Sequence, residues 1–462
     1  MESEKLLASF ISKSSFKNLP PEPLKAIKNI VLNLIGATIA GSAEAGCEAV
    51  VRQVKEWGGK EESTIFIYGG KVPAHNAVLA NAYMARALDI DDSMLPGIHP
   101  GASTVTTALA VAEKIGGCSG EEFLTALVLG HEVAARMNLA ADYDGFDPTG
   151  IAAPFGTATV AARLMKLDPD QILNALALVF NRSAGSFQSN VDGALSVRAI
   201  QGFSAQSGVI SAELARIGIT GPRNFIDGIY GYFHLYAKDK FDPGALLNKL
   251  GQDFLFPGKV VYKKHPSCAC TEASTDAILF LVQETGLTPE NVKNIDIKVS
   301  PHVYKLVGHP FVIGENPRVD AQFNLRYCVA SALTRKKSSL KYFEEDWIRD
   351  PQVNELTRKI NVSPAPELGE PERMHFRVKL KVITNNGDEY TQSVDHPRGT
   401  PEKPLTEQEF LECFQDYISY GKNALSGKNI DAITSAVGRL EQLEDVRSLI
   451  DLLLKKSKRQ PV

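Results

Sequence analysis

The sequence has no long uninterrupted apolar run that could form a membrane helix. Its longest apolar-looking segment, residues 24–40, contains the polar residues Lys25, Lys28, Asn29 and Asn33. A membrane-spanning helix needs about 20 predominantly apolar residues. We therefore predict no transmembrane segment and no membrane partner.

Charge of either sign is not in excess, because 50 Lys and Arg residues face 54 Asp and Glu residues, a formal net charge of −4. The one basic cluster, residues 455–459, is interpreted as a solvated helix end. Without a basic stripe the chain lacks the electrostatic footprint of a nucleic-acid partner. Residues 1–5 also lack a basic region followed by an apolar stretch, which predicts no secretory signal and a cytoplasmic protein.

Cysteine is sparse, with six residues in 462, and its spacing does not indicate a metal site. Cys268 and Cys270 are too close in sequence for a CxxC half-site, and no second pair accompanies them. His302 and His309 have no nearby carboxylate to complete a ligand set. No Walker loop or GxGxxG motif follows a predicted strand. We therefore predict reduced thiols, mostly in the core, and no bound metal.

Helical periodicity is abundant over the first 260 or so residues. Residues 24–35 place apolar side chains at i, i+3, i+4, i+7 and i+8, the spacing of an amphipathic helix. Ser119 with Glu122, and Asp168 with Gln171, form capping boxes that start two further helices. This part of the chain is predicted to be nearly all helix.

The period changes near residue 290, where Ile295, Ile297 and Val299 alternate with polar residues as in a strand. Residues 376–382 alternate in the same way and end at an Asn-Gly hairpin turn within residues 385–388. The helical period returns after the prolines that follow. These patterns predict strands and helices together in this part of the chain.

The fold class predicted from this order is mainly α with a smaller α+β domain. A chain of 462 residues is long enough for two or three domains, since domains usually have about 100–200 residues. We predict a large all-helical domain built from both chain ends, residues 1–267 and 400–462. The α+β domain is inserted between them at residues 268–399.

Candidate chemistry is concentrated in residues 88–101, which carry Asp89, Asp91, Asp92 and His99. Three acids at a helix end lie near the negative pole of the helix dipole, which is unfavourable unless they cap, bind a ligand or face solvent. One interpretation is an acidic, solvated turn. The other is a catalytic loop, because a histidine with an ordinary pKa near ~6.5 suits proton transfer at neutral pH.

Three further segments carry candidate groups. Residues 145–150 form a loop between two predicted helices. Residues 262–268 include Lys263 and Lys264, which either hold a carboxylate or belong to a basic surface turn. Tyr327, near the start of another helix, points either into the core or into a cleft.

Taken together, these segments resemble the MmgE/PrpD superfamily, which includes 2-methylcitrate dehydratases, cis-aconitate decarboxylases and iminodisuccinate epimerases. No single motif is specific, but the ordered set is. The motifs are residues 88–93 with His99 and Pro100, then 145–149, 217–222, 263–268, 321–324 and 396–399.

The resemblance implies an active site in a cleft between the two domains, a homodimer, and neither a metal nor an organic cofactor. By matching motif positions, it places catalytic roles on four residues and substrate binding on four others. These are His99, Asp89, Lys263 and Tyr327, and then Ser93, Asp147, Arg198 and Lys264. A one-residue gap would exchange Lys263 and Lys264, so both stay open as the active-site lysine.

The chain departs from the family pattern at several positions. Asp147 stands where the loop usually has a histidine, and Arg198 where the family has a substrate-binding lysine. Arg86 replaces a histidine three residues before Asp89, and Glu272 replaces another. A pocket suited to a tricarboxylate has thus lost histidine and gained a carboxylate, which affects the expected substrate more than the fold.

The leading hypothesis is a cofactor-independent carbon–oxygen lyase, similar to 2-methylcitrate dehydratase, that acts on a small polycarboxylic acid. Such chemistry creates charge on a carbon beside a carboxylate, so it needs cations and a positioned acid–base group. His99 would exchange the proton and Tyr327 would protonate the leaving group. The alternatives are an epimerase or isomerase, a decarboxylase of a related acid, and a family member that binds carboxylates without turnover.

Overall fold

The structure is a computed structural model, and it describes residues 2–143, 145–369, 376–421 and 425–454. The basic cluster predicted to be a solvated helix end lies outside these residues. All six cysteines are free and five of them are buried. The prediction that most cysteines are core residues is confirmed, and their reduced state stays a prediction.

Two large hydrophobic clusters organise the chain. The first draws its buried residues from 7–260 and 414–453, so both chain ends contribute to one helical core. The second draws on residues 261–394 together with Val197. The mainly α fold with a smaller α+β domain is therefore confirmed.

Helix starts in the first cluster follow from capping side chains. Ser119 Oγ accepts a hydrogen bond of 3.2 Å from the amide of Glu122, and Asp168 accepts one of 2.9 Å from the amide of Gln171. Both predicted capping boxes are confirmed. The helices up to residue 247 are α1 (Glu2–Lys13), α2 (Pro21–Gly41), α3 (Cys47–Trp57), α4 (Ala74–Arg86), α5 (Gly101–Lys114), α6 (Gly120–Leu139), α7 (Pro148–Ile151), α8 (Ala153–Leu164), α9 (Pro169–Phe180), α10 (Gln188–Val191), α11 (Ser196–Arg216), α12 (Tyr232–Ala237) and α13 (Pro243–Leu247).

Helix α2 is the one helix, among the described residues, that is long and apolar enough to cross a membrane by length and composition alone. In its most apolar window 72% of the residues are buried inside the protein. Ile27, Ile30 and Val31 are fully buried in the first cluster. This is the burial of a core helix.

Short strands also occur in the part of the chain that was predicted to be nearly all helix. They form two antiparallel pairs, and the second pair joins the segment after α4 to a segment more than 160 residues later. The strands are β1 (Ser63–Thr64) with β2 (Lys71–Val72), and β3 (Ser93–Met94) with β4 (Val260–Val261). Pairs of two residues are too short to leave a periodic signal in the sequence.

The second cluster is built on a four-stranded sheet of order β6-β5-β7-β8. Strand β5 (Val292–Val299), one of the two central strands, buries Ile295, Ile297 and Val299 on one face, as the alternating pattern predicted. The predicted hairpin turn is also confirmed, since Gly387 has φ +88° between the two antiparallel strands. The parallel strand β6 was not predicted. The strands are β5 (Val292–Val299), β6 (Ile360–Pro364), β7 (Val378–Thr384) and β8 (Glu389–Val394).

Helices cover this sheet and then return the chain to the first cluster. In the α+β domain they are α14 (Ala269–Thr285), α15 (Pro301–Val307), α16 (Pro317–Gln322), α17 (Leu325–Arg335), α18 (Glu345–Ile348) and α19 (Pro351–Arg358). The returning helices are α20 (Glu407–Tyr420), α21 (Gly427–Gly438) and α22 (Arg447–Leu452). Phe414 and Ile418 of α20 pack in the first cluster.

Candidate active site

The β3–β4 pair brings two of the candidate motifs together. Ser93 pairs with Val261, and Lys263 follows two residues later. Gly399 fixes the same segment from the other side, because any side chain there would collide with the carbonyl of Tyr262, whose amide bonds to Gly399. The Lys263 side chain is thereby directed toward the acidic turn after α4.

Lys263 and Asp89 form the centre of the site. Lys263 Nζ lies 2.8 Å from Asp89 Oδ2 and donates a hydrogen bond of 2.8 Å to the Asp89 carbonyl. Asp89 has φ +54°, a left-handed conformation that Asp tolerates better than most residues. This turn brings both the carbonyl and the carboxylate of Asp89 to one ammonium group.

Arg86 joins a second carboxylate to this pair. Its Nη1 atom donates a hydrogen bond of 3.0 Å to Asp91 Oδ1 and also contacts Asp89 Oδ1. Arg86 is the last residue of α4, so a cation at the helix C-terminus meets the acids of the following turn. The acidic turn is therefore buried and paired, and the solvated-turn interpretation is wrong.

His99 joins this group of charged residues by its contact with Asp91. His99 Nδ1 lies 3.3 Å from Asp91 Oδ2, and the His99 side chain is 13% exposed whereas that of Asp91 is fully buried. The backbone of His99 is held on both sides. Its amide donates to Thr149 Oγ1 at 3.2 Å, and its carbonyl accepts from Gln201 Nε2 at 2.8 Å.

Burial and the neighbouring charges set the protonation of these groups. Burial and the Arg86 guanidinium lower the pKa of His99 to about 4, although Asp91 opposes the shift. The same two causes lower the pKa of Lys263 to about 8. Burial opposes ionisation of Asp91, but Arg86 and His99 outweigh it and lower its pKa below the ordinary value. Near pH 7 His99 is therefore neutral, Lys263 is mostly charged and Asp91 is ionised.

Asp92 is a separate, neutral acid beside this centre. Burial and the charge of Asp91 raise the pKa of Asp92 well above its usual range. Its carboxyl packs against the start of α5, and a Cβ at Gly101 would lie 1.8 Å from Asp92 Oδ1. Only glycine leaves room for this contact.

The resulting charges balance, since two cations, Arg86 and Lys263, face two carboxylates, Asp89 and Asp91. The neutral imidazole of His99 is the group suited to accept a proton at neutral pH. A fixed ammonium beside it is suited to stabilise negative charge that develops on a substrate. Together they can carry out acid–base chemistry on an anionic molecule.

Ligand atoms of Asp89, Asp91 and His99 also lie within 4.8 Å of one another. Carboxylate oxygens and an imidazole nitrogen are ligands that divalent metals accept. Arg86 and Lys263, however, already contact the oxygens of Asp89. A divalent ion would have to displace these cations, so the absence of a bound metal stays our prediction.

The structure brings Asp89, His99 and Lys263 together, and Ser93 is buried beside them in strand β3. Lys263 is the lysine that reaches Asp89. Lys264 is half-buried, and among the described residues its side chain forms no ion pair with Asp89. This geometry favours Lys263 as the active-site lysine.

Asp147 lies near the site, but its carboxyl group forms a hydrogen bond with the backbone of its own loop. Asp147 Oδ1 accepts a hydrogen bond of 2.8 Å from the amide of Thr149, which caps helix α7. Burial raises the pKa of Asp147, while the nearby charge of Arg86 opposes this. Thr149 Oγ1 in turn accepts a hydrogen bond from the His99 amide, so Asp147 helps to position His99.

Tyr327 does not join these residues. Its ring packs against Phe311 and Phe343, with centroids 5.0 and 5.6 Å away, in the core of the α+β domain. Its hydroxyl donates to the carbonyl of Tyr342. The structure therefore corrects the expectation of a proton donor in the cleft, because the sequence could not distinguish a core tyrosine from a cleft tyrosine.

Arg198 lies about one helical turn before Gln201, whose side chain donates a hydrogen bond to the carbonyl of His99. The Arg198 side chain contacts a different segment. Its Nη1 donates a hydrogen bond of 2.6 Å to the carbonyl of Ala45. Burial lowers the pKa of Arg198, and the side chain is only 2% exposed. Arg198 is thus beside the centre and outside its ion-pair network.

Sequence reasoning missed the roles of Arg86 and Asp91. Arg86 had been noted only as a departure from the family pattern, and Asp91 only as one of three acids. Gln322 was also missed, although it donates to the carbonyls of Leu88 and Pro266 at 2.5 and 2.9 Å and so joins both motifs. The spacing of charges along the turn was the available signal, but it does not show which acid faces the histidine.

The fold and the site define a class of mainly helical, two-domain proteins with an acid–base centre assembled from separate motifs. The chain matches the MmgE/PrpD N-terminal domain over residues 5–243 and the MmgE/PrpD C-terminal domain over residues 265–433, and it belongs to this family.

Similar proteins of known name span nearly the whole chain. The human protein named cis-aconitate decarboxylase is 25% identical over 452 residues, covering 94% of this chain and 91% of its own. The mouse protein of the same name is 23% identical, covering 93% and 89%. The Aspergillus terreus protein of that name is 22% identical, covering 97% and 95%.

Proposed function

We propose that the protein is a cofactor-independent lyase of a small polycarboxylic acid, and that His99 moves the proton beside a substrate carboxylate. The observation that carries this proposal is the neutral His99 held next to Asp91 and close to the charged Lys263. Family membership and the names of the relatives support a lyase acting on such an acid.

To act as a base, His99 needs its proton on Nδ1 and a lone pair on Nε2. Asp91 Oδ2 lies 3.3 Å from Nδ1, and although this contact lacks hydrogen-bond geometry, the ionised carboxylate favours a proton on that nitrogen. Nε2 then accepts a proton from the substrate carbon. Lys263 stabilises the negative charge that spreads onto the adjacent carboxylate.

Dehydration to an alkene is the reaction that this protonation state supports best, since it begins with removal of a proton. His99 takes the proton from carbon, the C–O bond on the neighbouring carbon breaks, and the hydroxyl leaves as water with the proton that His99 has taken. The same first step serves the epimerase or isomerase alternative, in which the proton returns to the other face. Decarboxylation is a second candidate, favoured by the names of the relatives. It requires a proton donor after carbon dioxide leaves, so His99 would have to be charged when substrate is bound.

The experiment is an NMR screen in deuterated water against citrate, 2-methylcitrate, cis-aconitate, malate and iminodisuccinate. A dehydratase forms an alkene from a hydroxy acid, an epimerase exchanges a carbon-bound proton without changing composition, and a decarboxylase releases carbon dioxide. A protein that binds these acids without any exchange or turnover would contradict the proposal and support the non-catalytic alternative.

A further inference from the structure

A second cluster of buried charge lies where the two domains meet. Arg198 comes from α11 of the helical domain and Arg318 from α16 of the α+β domain. Arg318 Nε lies 3.0 Å from Glu44 Oε2, and Arg318 Nη2 donates a hydrogen bond of 2.6 Å to the hydroxyl of Tyr420. Arg198 binds the carbonyl of Ala45, the residue after Glu44. The two guanidinium groups are close enough to repel each other.

Positive charge is in excess in this cluster. Among the described residues, Glu44 is the one carboxylate within ion-pair distance of Arg318, and none lies within that distance of Arg198. Two titratable side chains of the cluster carry no negative charge at neutral pH, because burial raises the pKa of Cys47 to about 12 and that of Tyr420 to about 12.

Asp320, two residues after Arg318, does not supply the missing charge. It accepts a hydrogen bond of 2.7 Å from the amide of Gly314. Arg198, which is buried, and Arg318, whose side chain is 14% exposed, therefore share one carboxylate. A buried charge without a counter-charge is costly unless a ligand supplies one.

One donor in the cluster also has no partner. Arg318 Nη1 is buried and makes no hydrogen bond to any residue that the structure describes. The two other guanidinium nitrogens of Arg318 are used by Glu44 and Tyr420. A buried donor of this kind normally has an acceptor, and an anionic oxygen would satisfy both the donor and the excess charge.

The cluster is also close to the acid–base centre along α11. Arg198 and Gln201 are three residues apart and so lie on one face of the helix, roughly 4.5 Å apart along its axis. Gln201 holds the carbonyl of His99 at 2.8 Å. Neighbouring side chains of α11 thus connect the cluster to the backbone of His99.

We propose that Arg198 and Arg318 form a carboxylate-binding subsite, in which Arg318 of the α+β domain is a specificity-determining residue. The subsite takes the third carboxylate of the acid, beyond the two that a dicarboxylic acid offers. This inference rests on the proposed function, since it assigns the second anchor of the same substrate. It accounts for selection of polycarboxylic acids over acids with fewer carboxylates, because the centre around Lys263 has no net charge of its own.

Two unreactive acids test the subsite by equilibrium titration. Tricarballylate and glutarate share one carbon chain, and glutarate lacks the middle carboxylate. We expect the unaltered protein to bind tricarballylate more tightly, and Arg318→Gln to weaken that binding at least about tenfold, the effect of losing a charge-assisted contact. The binding of glutarate should change less.

Arg326→Gln is the matched control, because Arg326 is a partly buried arginine of the same domain whose described contact is to the carbonyl of Gly308. Its affinity for tricarballylate should equal that of the unaltered protein. Equal weakening in both variants would overturn the subsite and assign the effect to the domain as a whole.

Glu44→Gln distinguishes a binding role of Arg318 from a purely structural role in its ion pair with Glu44. If Arg318 serves only to join the domains, removing Glu44 breaks the same pair and affinity stays unchanged or falls. If Arg198 and Arg318 bind a carboxylate, Glu44→Gln removes its competitor, and tricarballylate should bind at least about threefold more tightly. This variant keeps the test decisive even if Arg318→Gln does not fold.

The outcomes also separate the subsite from the proposed function. Turnover or deuterium incorporation by the unaltered protein, with unchanged tricarballylate affinity in Arg318→Gln, would overturn the subsite and leave the lyase standing. Saturable tricarballylate binding that depends on Arg318, without turnover of any acid in the screen, would support the subsite and contradict the lyase. Absence of saturable tricarballylate binding by the unaltered protein would overturn the subsite outright.

Discussion

Lys263 and Asp89 are 174 positions apart in the sequence, and Lys263 Nζ hydrogen-bonds the Asp89 carbonyl at 2.8 Å. Both residues are buried, each at most 3% exposed, and Asp89 also contacts Arg86. The contact depends on the two-residue pairing of Ser93 with Val261. A lysine held in this way has a fixed position before substrate arrives, which lowers the cost of orienting it during the reaction.

We expect His99→Gln to lower kcat by at least about 100-fold with the fold intact, because a positioned acid–base group contributes roughly 10²- to 10⁴-fold. The measurement is steady-state kinetics on the substrate found in the NMR screen, with the melting temperature as the control for folding. Turnover close to that of the unaltered protein would give His99 a structural role only.

The pH profile of kcat/KM should be bell-shaped. Activity should rise as pH increases through about 4, because His99 must lose its proton to act as a base. It should fall as pH rises through about 8, because Lys263 then loses its charge. Both limbs belong to the free protein.

Asp91→Asn is the control for the acid limb of that profile. The Asp91 carboxylate raises the pKa of His99, so its removal should move the acid limb to lower pH. Both proteins are measured with the same substrate, so ionisation of the substrate affects the two pH profiles equally. A limb that stays in place or moves to higher pH would show that a group other than His99 controls it.

We expect turnover to survive exhaustive chelation, because Arg86 and Lys263 already contact the carboxylate that a metal would need. The test compares activity before and after dialysis against a chelator, with added magnesium, manganese and zinc as separate arms. Loss of activity followed by recovery with one of these ions would assign Asp89, Asp91 and His99 as its ligands.

The parts of the fold that depend on local physics were predictable from the sequence. The Ser119 and Asp168 caps, the alternation at Ile295 and Ile297, and the Asn-Gly hairpin each act within a few residues, and each is confirmed. The parallel strand β6 was missed because its pairing partner lies about 65 residues earlier. A short strand of this kind is specified by tertiary packing and not by its own pattern.

The candidate site was predictable only as a set of residues brought together by resemblance. Which acid faces His99 could not be read from the sequence, since Asp89, Asp91 and Asp92 differ only in position within one turn. The left-handed conformation at Asp89 and the missing side chain at Gly101 determine where each of the three carboxyl groups points. Tyr327 was misplaced for the same reason, because a helix start allows a side chain either into the core or toward a cleft.

We propose, from the family resemblance, that the protein forms a homodimer through its helical domain. Phe203 on α11 is 56% exposed and Ile217 at its end is 70% exposed, which is unusual for large apolar side chains unless a partner covers them. Sedimentation at micromolar concentration should give a dimer. The double variant Phe203→Glu with Ile217→Glu should shift it toward monomer, whereas Trp57→Ser, at an exposed position on α3, should not. A monomer in the unaltered protein would contradict the proposal.

The last prediction concerns Asp147, which holds the loop beside His99 and also places a carboxyl near Arg86 and Asp91. Asp147→Ala removes the cap of α7 and should lower the free energy of unfolding by about 1 kcal/mol, measured by denaturant titration. Asp147→Asn keeps an oxygen acceptor for the Thr149 amide, so its stability should stay close to that of the unaltered protein.

Asp147→Asn also tests whether the carboxyl repels a substrate. If Asp147 is ionised in the complex, its neutral replacement should bind tricarballylate more tightly and change glutarate binding less, because the repulsion is greater for the acid with more negative charge. Asp147→His, the side chain usual in the family, should show the same preference together with the loss of the cap. Unchanged tricarballylate affinity in Asp147→Asn, with reduced stability in Asp147→Ala, would limit Asp147 to positioning the loop through Thr149 and the His99 amide.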